Sequence, residues 1–167
     1  MTIIIVQLNS LTKLEYYGVS PYEIEALYSS LARFSEVDEI KLDDCEYLSF
    51  LNIEFPSPYD DNFFQSFGFE NWQRIKYIFK EMKRRRGKKD FKLSLSFSGS
   101  TESNSKLVFS LTGDIGAQFE YALEKIAHMV DSINMKIKNL DTNRQIIPYT
   151  YDAVTMKWVL SEKSEKS

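Results

Sequence analysis

Two hydrophobic periodicities alternate along this chain. Residues 91–98 (FKLSLSFS) alternate apolar and polar without a break, and Leu107, Phe109 and Leu111 resume the pattern after a polar stretch at 99–105. A period of two sets one side of a strand on a core and the other in water. Residues 91–112 therefore predict an antiparallel hairpin. The opening run at 2–8 is β-branched and continuous, as in a strand buried on both faces. Residues 47–55 fit another strand, stopped by Pro56 and Pro58, and 156–160 a last short one.

Helical spacing fills the gaps between these runs. Ser20-Pro21-Tyr22-Glu23 combines a capping serine, a proline in the first turn and the glutamate of a capping box. Ile24, Leu27, Tyr28, Leu31 and Phe34 follow as one apolar stripe. A second helix is expected from about residue 70 to 86, with Trp72, Ile75, Phe79 and Met82 buried and Gly87 as its stop. The third and longest should run over 115–139, capped by Asp114, because Ile115, Phe119, Ala122, Ile126, Val130, Ile133 and Ile137 keep the period throughout. Residues 59–69, with four phenylalanines, read as a short helical turn or a packed loop, and 36–46 as an acidic connector.

The order of elements predicts an α+β domain: a two-layer sandwich with a mostly antiparallel sheet and about three helices on one face. A ferredoxin-like βαββαβ core with one inserted helix is one version of it. Residues 1–160 form the expected single domain and 161–167 (SEKSEKS) a disordered tail. With 43 % hydrophobic residues and 24 aromatic rings, a chain of 167 residues can bury a sizeable core. Cys45 is alone, so no disulfide can form within the chain, and the apolar run at 3–6 is too short for a signal sequence or a membrane span. A cytoplasmic protein with no membrane contact is the expectation.

Charge changes the picture more than composition does. The chain has a net charge of −3, yet eight of the thirteen residues at 80–92 (KEMKRRRGKKDFK) are Lys or Arg. Residues 1–68 hold three basic and twelve acidic side chains, whereas 69–92 hold ten basic and three acidic. Lys76, Lys80, Lys83 and Arg84 share one side of the second helix; Arg85, Arg86, Lys88, Lys89 and Lys92 crowd its end and the following turn. Part of this clustering favours the negative end of a helix dipole. The rest forms a candidate polyanion site, for nucleic acid or an acidic protein, with Trp72, Tyr77 and Phe91 as rings on which bases could stack. The competing expectation is that the acidic segment 36–46, in the same chain or in a second copy, neutralises the patch.

Catalytic signals are sparse. Glu39-Ile40-Lys41 and Asp90-Phe91-Lys92 match the acid-x-Lys half of a metal-dependent nuclease site, with Asp60 and Asp61 as possible metal partners. Asp43, Asp44 and Glu46 lack the glycine and spacing of a cation loop. His128 is the only histidine and falls off the apolar stripe, and one Cys with one His does not make a zinc site. Gly113–Gly116 lacks the lysine and length of a phosphate loop, and Asp114 would repel an anion. The sequence thus predicts a non-enzymatic binding domain without cofactor or metal. A self-pairing interaction protein and a nuclease using Asp90 and Lys92 are the alternatives.

Overall fold

The computed structural model describes residues 11–87, 89–98, 105–139 and 145–161. The strand expected at 2–8 and most of the expected tail lie outside these residues. Among the described residues seven strands form one sheet: β1 (Leu11–Tyr17), β2 (Glu36–Lys41), β3 (Ser49–Phe55), β4 (Phe91–Ser98), β5 (Lys106–Thr112), β6 (Ile146–Asp152) and β7 (Lys157–Leu160). Five helices accompany them: α1 (Pro21–Ala32), α2 (Asp61–Phe67), α3 (Phe69–Arg86), α4 (Gln118–Ile126) and α5 (Val130–Lys138). The α+β class holds. The strand order is β2-β1-β3-β4-β5-β6-β7, and parallel and antiparallel pairs alternate from one end to the other. The sheet is therefore mixed, not mostly antiparallel. In a ferredoxin-like core a strand separates the two strands of each β-α-β unit. Here β1 and β2, β3 and β4, and β5 and β6 pair directly, each across helical connections.

The sheet's alternation places its core on one face. Leu14, Ile53, Leu95, Phe109 and Tyr149 are successive register partners across five strands, and each is buried. Opposite them, Glu15, Asn52, Ser94, Ser110 and Thr150 form a polar row, with the Asn52 amide donating to Glu15 at 2.7 Å. At one end of the core, Phe55, Phe63, Phe67 and Phe97 pack ring to ring with Phe34 and Tyr59. Such pairs contribute roughly 0.5–1.5 kcal/mol each beyond area burial. The aromatic run at 59–69 is thus α2, capped by the Asp60 carboxylate on the Phe63 N–H, and it serves the core.

Several elements depart from expectation. The acidic connector contains β2, an edge strand pairing in parallel with β1, and β1 itself was not among the expected strands. The long helix expected at 115–139 is broken at Ala127–Met129 into α4 and α5. No glycine or proline causes that break. The Tyr59 hydroxyl donates to the Ile126 carbonyl, the group that an unbroken helix would pair with the Val130 N–H. Asp114, expected to cap that helix, instead accepts from the Thr112 hydroxyl at 2.6 Å beside a single 3₁₀ turn at Gly113–Ile115.

Candidate polyanion-binding surface

The helix that carries the basic stretch forms as its spacing predicts. Trp72, Ile75, Phe79 and Met82 are buried, and Gly87 ends α3 at φ 60°, a conformation that favours glycine. Four cations lie in the last turn, where the exposed carbonyls favour positive charge.

The cations divide by what holds them. Lys76 is only 3 % exposed, and its ammonium lies 2.7 Å from Glu124 of α4. Lys80 reaches the other oxygen of the same carboxylate at 2.6 Å. Burial alone would raise the Glu124 pKa, but hydrogen bonds and charge from Lys76 and Lys80 hold it below its ordinary value. These two lysines tie α3 to α4.

Arg86 is the most heavily engaged. Its guanidinium donates from Nη1 and Nη2 to both oxygens of Glu23, from Nε to the Ser49 hydroxyl at 2.9 Å, and to the carbonyls of Met82 and Gly18. It also lies 5.4 Å from the centre of the Phe91 ring. Glu23 is the capping-box glutamate of α1, and its Oε1 also accepts from the Ser20 N–H. One arginine therefore fastens the end of α3 to the start of α1 and to the first residue of β3. A bidentate fork of this kind needs arginine's planar geometry.

A different set faces outward. Arg84 is exposed and paired at 2.6 Å with Glu81 one turn back on the same helix. Arg85 is exposed and 3.6 Å from Glu23, a carboxylate that Arg86 already occupies. The Lys83 ammonium donates to the Gly87 carbonyl, and no carboxylate partners it among the described residues. Lys89 is exposed. Lys92 lies over the Tyr47 ring on the polar face of the sheet. Lys88 lies outside the described residues. From Glu81 to Lys92 seven Lys or Arg face three carboxylates, Glu81, Asp90 and the docked Glu23, so the end of α3 stays positively charged.

The rings sort the same way. Trp72 is buried, as its place on the apolar stripe predicts, and Phe91 is buried too, so neither can stack on a base. Tyr77 is 64 % exposed and lines a cleft of about 190 Å³ between α1 and α3, with Tyr22, Ala26, Ile78, Glu81 and Arg85. Tyr22 was missed by sequence reasoning. Its signal was a large ring within the first turn of a helix whose apolar stripe begins only at Ile24.

The other candidates come apart in space. Asp90 stands at the start of β4, while Asp60 and Asp61 follow the far end of β3, its parallel neighbour, so a strand's length separates them. Among the described residues no group of three His, Cys, Asp or Glu side chains could hold a metal ion. His128 is exposed and Cys45 half-buried. The Tyr149 and Tyr151 side chains are core. No described ion pair joins the basic stretch to residues 36–46; its carboxylate partners are Glu23, Glu81 and Glu124. Among the described residues no helix is long and apolar enough to cross a membrane. Comparison with protein-family models, curated proteins and solved structures gives no match.

Proposed function

We propose that this is a non-enzymatic domain that binds nucleic acid through the outer surface of the α3 end. Lys83, Arg84, Arg85 and Lys89 contact phosphates, Lys92 on the polar face of the sheet standing apart from them, and Tyr77 and Tyr22 offer ring faces to unpaired bases. The observation that carries this reading is the leftover charge. After Glu124 takes Lys76 and Lys80, and Glu23 takes Arg86, the exposed Arg84, Arg85 and Lys89 and the half-buried Lys83 remain at the end of α3, with Arg85 lining an exposed aromatic cleft. Charge with adjacent aromatic faces is the combination that single strands require. Lys76, Lys80 and Arg86 act as internal fasteners in this reading. The finer architecture we read as two layers, because the strands' buried face and the helices' buried residues join one core.

Fluorescence anisotropy with short single- and double-stranded DNA and RNA at rising salt tests it. Phosphate contacts release counterions, so binding should fall steeply with salt. It should also fall in Arg85→Glu/Lys89→Glu and hold in Lys76→Met. Absence of binding at low salt would remove the reading.

A further inference from the structure

The side of α1 that faces away from α3 borders a second, acidic surface. β2 is one of the sheet's two edge strands, and among the described residues β1 is its one neighbour. The Leu42 N–H donates to the Tyr16 carbonyl, so Ile40, Asp38 and Glu36 direct their peptide groups towards β1. By alternation Val37, Glu39 and Lys41 direct theirs to the other edge, where no described strand pairs with them. Two hollows flank that edge. One of about 790 Å³ is lined by residues including Tyr16, Tyr22, Ile24, Tyr28 and Glu39; one of about 550 Å³ by Leu11, Tyr28, Glu36, Val37 and Asp38 among others. Of the described charged residues lining them, Glu25, Glu36, Asp38 and Glu39 are carboxylates, and Lys41 alone is a cation.

We propose that this edge and groove take an extended, lysine- or arginine-bearing segment of a partner protein, added as a strand beside β2. The outward peptide groups of Val37, Glu39 and Lys41 supply the ladder, and alternate side chains of the segment fall into the hollow beside Tyr16, Ile24 and Tyr28. Their ammonium or guanidinium ends meet Glu25 and Glu39, while the intervening side chains face Glu36 and Asp38. Charge selects the occupant. A second copy of β2 would set Glu36, Asp38 and Glu39 against a like-charged strand, which opposes pairing. The chain's own basic stretch is unsuited as well, because Lys80–Arg86 is already helical. The groove adjoins the proposed nucleic-acid surface at Tyr22, which lines both, but is otherwise built from other residues: α1 presents Glu25 and Tyr28 to it, and Glu23 and Ala26 to α3.

A short fluorescein-labelled peptide of alternating lysine and valine, titrated by anisotropy into the full chain, tests this. Two N-methylated versions, blocked at the odd or at the even residues, separate a ladder from loose charge attraction. One version should bind at least about tenfold more weakly and the other should stay close to the parent, because only one set of N–H groups faces β2. Glu36→Lys/Asp38→Lys and, independently, Tyr28→Ala should weaken the parent peptide, while Arg85→Glu/Lys89→Glu should not. Equal effects of the two methylations, no binding of the parent peptide at low salt, or a dimer that Glu36→Lys/Asp38→Lys dissolves would each overturn the proposal.

Discussion

Glu23 and Arg86 stand 63 positions apart and meet in a two-point ion pair, at 2.8 Å and 2.9 Å. Both are well buried, at 6 % and 12 % exposure. The pair joins the N-terminus of α1 to the C-terminus of α3, so a cation from the most basic stretch of the chain is spent inside the fold.

Removing one partner leaves the other charge buried. Arg86→Ala should therefore cost about 3–5 kcal/mol. Arg86→Lys should recover only part of this, since an ammonium cannot span both oxygens, Ser49 and Gly18 at once. Urea unfolding of the three proteins checks the order.

The same pair sets an acid response. Burial alone would raise the Glu23 pKa, but hydrogen bonds from Arg86 and Ser20 and the arginine charge hold it below its ordinary 4.5. A depressed folded pKa contributes stability that is present above the unfolded value and lost as pH falls through the folded one. Wild-type stability should thus decline below about pH 4.5, with Glu124 adding to the decline. In Glu23→Gln the protein should start less stable and decline less over that range. Denaturant midpoints against pH measure both.

Lys76 and Glu124 should respond unequally to substitution. Lys76→Met leaves Glu124 half-exposed and still paired with Lys80, so the cost should stay below about 1 kcal/mol. Glu124→Ala strands the Lys76 ammonium at 3 % exposure and should cost about 3 kcal/mol or more. Thermal or urea unfolding of the two variants separates them.

Gly18 turns β1 into α1 at φ 66°, and a Cβ there would lie 2.1 Å from the Leu48 carbonyl oxygen. Backbone cannot give way as a flexible side chain can. Gly18→Ala should destabilise by at least about 2 kcal/mol, through the clash and the left-handed conformation together. It should also loosen the Arg86 contacts to the Gly18 carbonyl, visible as faster amide exchange at the start of α1.

If single strands stack on the α1–α3 cleft, Tyr77→Ala should weaken their binding by about 1–3 kcal/mol and leave duplex binding nearly unchanged. Arg85→Glu should weaken both and flatten the salt dependence. Anisotropy with matched strands and duplexes reads the difference.

Local chemistry was enough for α1, α3 and the β4–β5 hairpin. The Ser20–Glu23 capping box, the stripe from Trp72 to Met82 and the strict alternation at 91–98 each act over a few residues, where a side chain's spacing determines which face it shares. β2 escaped because Glu36-Val-Asp-Glu-Ile-Lys buries little; its strand conformation comes from pairing with β1 after α1 returns the chain. The break between α4 and α5 escaped because its cause, the Tyr59 hydroxyl on Ile126, lies 67 positions away. The amino-acid sequence by itself therefore determined the elements with strong local periodicity, and the concentration of positive charge at the end of α3. Only tertiary structure decided which of those charges are free. Whether Lys76, Lys80 and Arg86 reach solvent or a carboxylate depends on Glu124 and Glu23, brought close by helix packing, and Coulomb interaction acts through distance in space rather than along the chain.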